Sequence, residues 1–330
     1  MNGALLMTYG SPASLERDDI EAYMTRVRHG RQPADDLVAE FERRYRRIGG
    51  SPLIAITRRQ AATLEGALGW PVEVGMRFSE PSIERGLGTL GRRGVTRVAT
   101  IVLSPQFSPL LMGGYARAVE DAGAALGPGA PTTAIAGAWH REPSFVAAVA
   151  RRIREALARL PGADADATPV LLTAHSLPLR VAQQEPGYLG QLDETATAIA
   201  EEAGLSRHRW HFCWQSAGHE PGEWMKPDFA ELLPRFSAQG HRAVVVAPVQ
   251  FLADHLEILY DIDVAAREQA DAAGIRLERV ASLNDDPDLI GALAAVARTT
   301  LARLGPPAMP VGARPAPPPA ARSSPGRTAP

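Results

Sequence analysis

Short branched apolar runs alternate with longer amphipathic stretches along most of this chain, and that alternation leaves few folds open to it. The runs cover residues 4–8, 72–76, 98–103 and 132–136, then 170–174, 209–214, 243–249 and 275–280. Each has the length and branching of a strand buried on both faces. Helical patterns lie between them at 18–26, 34–47, 54–68, 83–92, 113–125 and 145–160, then within 188–204 and at 229–239, 256–272 and 285–304. Strands separated by helices at this spacing predict parallel, doubly wound sheets. The pattern restarts after residue 160, so the expectation is an α/β fold of two Rossmann-like domains, each a mostly parallel sheet flanked by helices, with a cleft between them. The first domain is expected over 1–140, joined by the last helix at 285–304, and the second over 141–284. Residues 305–330 are rich in Pro, Ala and Arg without apolar periodicity, and are expected to form a disordered tail.

Composition narrows the function. The formal net charge is −2 over 330 residues, which gives no sign of a nucleic-acid partner. Cys213 is the only cysteine, so neither an internal disulfide nor an iron–sulfur cluster held by several thiolates of this chain is available. The first residues lack a basic stretch followed by a long apolar one, and no run approaches a membrane span. A cytoplasmic protein without stable membrane insertion is expected.

Candidate chemistry sits where strands end. The run Val170-Leu171-Leu172 stops at Thr173-Ala174-His175-Ser176, and Pro178 ends the ladder, which puts His175 at the carboxyl end of a central strand. Ligands of open α/β sheets bind beyond such ends. A histidine satisfied by loop hydrogen bonds fits the same pattern. After the strand at 243–249 comes Asp254-His255-Leu256-Glu257-Ile258-Leu259-Tyr260-Asp261. Helical spacing groups Asp254, Glu257 and Asp261 on one side and turns His255 away from Glu257. Asp254 as a helix cap is an equal reading. The arginines of the first two helices and their loop are read either as a solvated face or as carboxylate receptors. A histidine and a carboxylate delivered to one cleft suit metal binding or proton transfer. No HExxH, P-loop, Gly-x-Ser-x-Gly or dinucleotide fingerprint is present.

With these residues assembled, residues 3–304 resemble the ferrochelatase family, most closely its bacterial coproporphyrin branch. The resemblance rests on Met7-Thr8-Tyr9-Gly10-Ser11-Pro12, Arg26-Val27-Arg28-His29-Gly30-Arg31, Tyr45 with Ile48-Gly49-Gly50-Ser51-Pro52, Ser104-Pro105-Gln106-Phe107-Ser108, Thr173-Ala174-His175-Ser176-Leu177-Pro178, Trp214-Gln215-Ser216 with Trp224, the Asp254–Asp261 segment and Ser282-Leu283-Asn284-Asp285. It implies insertion of Fe2+ into coproporphyrin III in haem biosynthesis, with two protons released and no cofactor. His175 and Glu257 match the catalytic and iron-contacting pair, with the division of roles left open. Either group is expected to take a proton, the carboxyl through a pKa raised by its apolar cleft. Tyr9 matches a tyrosine on the opposite macrocycle face. Arg28, Arg31, Arg44, Ser51, Tyr115 and Ser216 match positions lining the substrate cleft. Coproporphyrin carries four propionates against the two of protoporphyrin IX, which suits extra cationic and hydroxyl partners.

The chain departs from this pattern in three places. Phe78-Ser79 and Gln106 stand where relatives have histidines. Pro109-Leu110-Leu111-Met112-Gly113-Gly114 makes one cleft wall more apolar. Ala265 occupies the next rung of the acidic row. Three other functions are weighed: the same reaction on protoporphyrin IX, cobalt or nickel insertion into sirohydrochlorin, and a porphyrin or haem carrier. The expected partners are the tetrapyrrole, Fe2+ and a haem-accepting downstream enzyme, with the chain itself a monomer.

Overall fold

A computed structural model describes residues 1–160, 167–218 and 221–305. The expected disordered tail therefore lies, from residue 306, outside the described residues. Eight strands form two four-stranded sheets, ordered β2-β1-β3-β4 and β6-β5-β7-β8. The first holds β1 (Asn2–Thr8), β2 (Val72–Met76), β3 (Arg97–Val102) and β4 (Thr132–Ile135). The second holds β5 (Val170–His175), β6 (Trp210–Gln215), β7 (Ala243–Pro248) and β8 (Arg276–Arg279). Every pairing is parallel, with Thr8 opposite Met76 and His175 opposite Gln215. The α/β expectation is borne out: the same order occurs twice, and each sheet reverses direction of winding beside its first strand, where ligands of such sheets bind.

Central strands are buried because both faces are covered. Leu5, Leu6, Leu171, Leu172, Val245 and Val246 have no exposed surface. Leu6 and Ile101 of the first sheet, Leu172 and Val245 of the second, and Leu293 of the last helix belong to one contiguous apolar cluster. The Pro287–Ala302 helix packs on the Leu53–Leu68 helix, on β3 and on the Pro143–Ala158 helix, which in turn meets β7 and the Pro186–Glu202 helix. The Arg17–Val27 and Asp35–Arg47 helices bury Ile20, Met24, Val38 and Tyr45 against Leu256 and Tyr260, tying the start of the chain to the segment that bears Glu257.

Three elements differ from the sequence expectation. The helix expected at 113–125 begins earlier, as Pro109–Leu126, because Ser108 caps it by accepting from Leu111 N–H at 3.0 Å. The helix expected within 188–204 is Pro186–Glu202, and a short one that was not expected, Leu179–Gln184, precedes it, the two separated where Pro186 disfavours a helical Glu185. The helix expected at 256–272 is three pieces: Leu256–Leu259, a π-helical Asp261–Ala266, and Arg267–Ala272. In the middle piece Ala265 N–H reaches Tyr260 O at 2.9 Å, a five-residue step. Such π-turns recur at functional sites. Among the described residues, no helix is long and apolar enough to cross a membrane.

Candidate active site

β5 delivers His175 with its main chain already fixed. The His175 N–H donates to Gln250 Oε1 at 2.7 Å, and the next N–H, of Ser176, donates to Gln215 O at 2.7 Å. Imidazole Nδ1 lies 2.5 Å from Ser176 O, which leaves Nε2 turned outward. That nitrogen is 3.9 Å from Glu257 Oε2, with the two side chains 32% and 35% exposed. Glu257 comes from the short helix beyond β7. Its main-chain oxygen accepts from Gln215 Nε2 at 3.1 Å, so β6 braces both members of the pair.

His255 is a third member that helical spacing had turned away. It is the N-cap of Leu256–Leu259, with extended backbone at φ −159°, so the spacing of a helix does not apply to it. Its Nδ1 lies 2.9 Å from Ala253 O and its Nε2 3.9 Å from Glu257 Oε2. Asp254 neither caps the helix nor joins an acidic row. It accepts from Ser282 Oγ at 2.7 Å and Asn284 Nδ2 at 3.0 Å, and pairs with Arg279 at 3.3 Å. The second carboxyl of the site is Asp261, which accepts from Ser216 Oγ and stands 3.7 Å from Arg44.

These neighbours reverse the expected electrostatics of Glu257. Burial alone pushes its carboxyl up, but His175 and His255 together outweigh it and hold the group at about 2. Reciprocally, burial pushes His255 down while the Glu257 carboxylate more than offsets this and raises it. Asp261 carries the opposite shift. Burial and the nearby Glu257 charge push it up to about 6, against the pull of Ser216 and Arg44.

Tyr9 emerges directly after β1 and is 47% exposed, an unusual position for an aromatic ring. Gly10 at φ +94° makes the turn possible: a Cβ there would stand 2.0 Å from Ser79 Oγ. Burial of the hydroxyl raises the phenols of both Tyr9 and Tyr45; Arg77 opposes this at Tyr9, and the Glu257 charge adds to it at both, so the two halves of the chain share one electrostatic site. Arg44, Ser216 and Asp261, with Ser176, Trp214 and Trp224, line a cavity of about 860 Å³ that borders the His175–Glu257 pair without including it. Arg44 is also held by Glu40. Arg28, Arg31 and Ser51 are not among the residues lining this cavity: Arg31 Nε donates to Arg28 O at 3.3 Å, and Ser51 Oγ accepts from Leu53 N–H at 3.4 Å. Tyr115, grouped with the cleft lining on sequence, is only 2% exposed and packs edge-on behind Tyr9, with ring centroids 6.3 Å apart. Gln106 is a buried strut rather than a cleft residue, donating to Thr195 Oγ1 at 2.9 Å.

A family model described as Ferrochelatase matches residues 1–301. The chain belongs to the ferrochelatase family. Among curated ferrochelatases, it is 34% identical to the coproporphyrin III ferrochelatase of Anoxybacillus flavithermus, over 92% of this chain and 97% of that protein. It is 37% identical to the ferrochelatase of Deinococcus radiodurans, over 89% of this chain and 94% of that protein. Of solved structures, SirB from Bacillus subtilis with Fe3+ superposes at a TM-score of 0.56 with 13% identity, covering 92% of this chain and 96% of that one. At that identity the likeness speaks for the fold alone, two parallel four-stranded sheets flanked by helices.

Proposed function

We infer that this ferrochelatase-family chain inserts Fe2+ into coproporphyrin III, giving coprohaem III and releasing two protons in haem biosynthesis. The observation that carries the reading is the Glu257 carboxylate set 3.9 Å from two imidazole nitrogens, those of His175 and His255, beyond the ends of adjacent central strands. Metal insertion needs two things at one place, an anionic surface that receives Fe2+ and bases that take the pyrrole protons. Imidazole nitrogen and carboxylate oxygen are both usable Fe2+ ligands. His175 and Glu257 supply two or three donor atoms, which leaves the remaining positions on iron to the macrocycle nitrogens. An imidazole that accepts a pyrrole proton becomes a cation, and Glu257 stands where it stabilises that cation. The overall balance is one Fe2+ in and two protons out, with no electron transferred and no organic cofactor.

The choice of coproporphyrin rests on its carboxylates. Arg44 and Ser216 open on the cavity beside the pair, and a substrate with more propionates uses more such partners. Relatives named for coproporphyrin III at 34–36% identity agree with this. The test is anaerobic: purified protein with Fe2+ and either coproporphyrin III or protoporphyrin IX, followed by loss of free-porphyrin fluorescence. Rapid loss with coproporphyrin and little with protoporphyrin is expected. The reverse order keeps metal insertion and overturns the substrate. Binding of both without metallation of either makes the protein a carrier and sinks the reading.

A further inference from the structure

Arg77 is the first residue beyond β2, and the chain there runs beside Tyr9: Arg77 N–H donates to Thr8 O at 2.9 Å and Phe78 N–H to Tyr9 O at 3.1 Å. Its guanidinium carbon lies 4.7 Å from the Phe78 ring centroid and 5.3 Å from that of Tyr115. Stacking of this kind fixes the plane of the guanidinium and leaves its N–H edge open. The space is made by Gly114. A Cβ at that position would stand 1.8 Å from Arg77 Nη2 and 2.1 Å from its Cζ. Gly114 lies inside the Pro109–Leu126 helix, where glycine is otherwise an unfavourable choice.

Unlike Arg93 and Arg44, Arg77 has no counter-charge among the described residues. Arg93 is taken by Glu65 and Glu73, and Arg44 by Glu40. Arg26 Nε donates to Phe78 O at 2.6 Å. Among the described residues, no carboxylate pairs with Arg77 and no side-chain hydrogen bond occupies it, although it is half-buried. A partly desolvated guanidinium held flat and unneutralised is suited to an incoming planar anion. Its charge is felt at Tyr9 and Tyr115, where it opposes the effect of burial.

We propose that Arg77 binds a carboxylate of the tetrapyrrole on the Tyr9 side of the cleft, held in place by a cradle that Gly114 leaves empty. The proposal rests on the tetrapyrrole reading of the site. The carboxylates are the only fixed charges on coproporphyrin, so they are what a planar cationic fork recognises there.

The test compares wild type, R77M, R77K and G114A. Dissociation constants are measured by fluorescence titration with coproporphyrin III and with its tetramethyl ester, and KM and kcat with coproporphyrin III and Fe2+. R77M keeps the apolar stem, so its Kd and KM for coproporphyrin III should rise by about tenfold with a much smaller change in kcat, as for lost uniform binding. R77K should fall between, because a point charge replaces a bidentate fork. G114A retains the charge but fills its cradle, and should weaken coproporphyrin binding in the same direction. Binding of the ester should be the same in all four. A Kd for R77M within about twofold of wild type, or an equal loss for acid and ester, overturns the proposal by leaving Arg77 a packing residue. If wild type itself neither binds nor metallates coproporphyrin III, it is the tetrapyrrole reading that has failed, and the role of Arg77 falls with it.

Discussion

Replacing Glu257 by Gln keeps the shape of the side chain and removes its charge. Two imidazole nitrogens lie 3.9 Å from Oε2. Unit charges at that separation interact by about 4 kcal/mol at an effective dielectric near 20. The Glu257 side chain is 35% exposed and that of His175 32%, so solvent screening brings the figure down to about 2 kcal/mol for each imidazolium. That is roughly thirtyfold in rate. If one imidazolium forms by the rate-limiting step, kcat falls about thirtyfold; if both do, it falls about 10³-fold, within the range for lost acid–base catalysis. Coproporphyrin affinity should change by less than about twofold, because substrate binding is charged to other residues. The assay is anaerobic loss of porphyrin fluorescence beside a direct binding titration. A second readout is independent of turnover. The Glu257 carboxylate raises His255 against the effect of burial, so the His255 pKa seen by NMR must drop in E257Q. A variant keeping more than about a tenth of wild-type kcat, with the His255 titration unmoved, would refute the arrangement.

Other consequences concern stability and its dependence on pH. Asp286 is nearly buried, caps the last helix by accepting from Asp288 N–H at 2.9 Å, and pairs with Arg151 at 2.8 Å and Arg152 at 2.9 Å. D286A should cost about 2–3 kcal/mol by urea denaturation, one part cap and one part charge-assisted hydrogen bonds. Burial pushes the Asp286 carboxyl up, but Arg151 and the Asp288 N–H outweigh it and leave the group below its usual range. Its contribution is therefore present above about pH 4 and lost as pH falls through the lowered value, so the D286A deficit should shrink below about pH 4. Asp261 has the opposite sign: it is raised from 3.8 to about 6, so ionising it at neutral pH costs folding energy. D261N should stabilise the protein by about 1–2 kcal/mol at pH 7, a gain that disappears below about pH 4, and an unchanged urea midpoint at pH 7 would count against the shift. Gly10→Ala combines φ +94° with a Cβ 2.0 Å from Ser79 Oγ. It should destabilise by about 1–3 kcal/mol and lower kcat through a displaced Tyr9, and S79A in the same chain should restore only the steric part.

Much of the scaffold was legible because local rules and burial agree there. Val72–Met76 and Ile83–Arg92 begin and end where the apolar pattern does, and strands buried on both faces advertise themselves as unbroken runs. His175 was legible for the same reason, since a polar side chain at the end of such a run has one place to go. The elements that were misplaced are those where a local signal points two ways. Gly113-Gly114 reads as a helix boundary, yet Ser108 starts the helix five residues before Gly113. Gly114 was itself a signal, because a glycine inside a helical pattern marks close approach by something else, here the Arg77 guanidinium.

The site resisted reading for a different reason. Helical spacing placed Asp254 with Glu257 and turned His255 away, but Asp254 and His255 both precede the helix, and the π-helical turn at Asp261–Ala266 rotates the residues beyond it out of α-helical phase. The sign of the Glu257 shift was beyond any single segment. An apolar cleft raises a carboxyl, and the sequence around Glu257 shows the apolar cleft. Only the fold brings His175 from a strand 75 residues upstream of Gln250 and sets its imidazole against the same oxygen that faces His255. The two carboxyls of the π-turn region then diverge, Glu257 at about 2 and Asp261 at about 6. Identical chemistry one helical turn apart is split by which partners face it: two imidazoles in one case, a neighbouring carboxylate in the other. That split gives the site one carboxyl held as an anion by its imidazole partners beside one raised by burial and by the neighbouring charge.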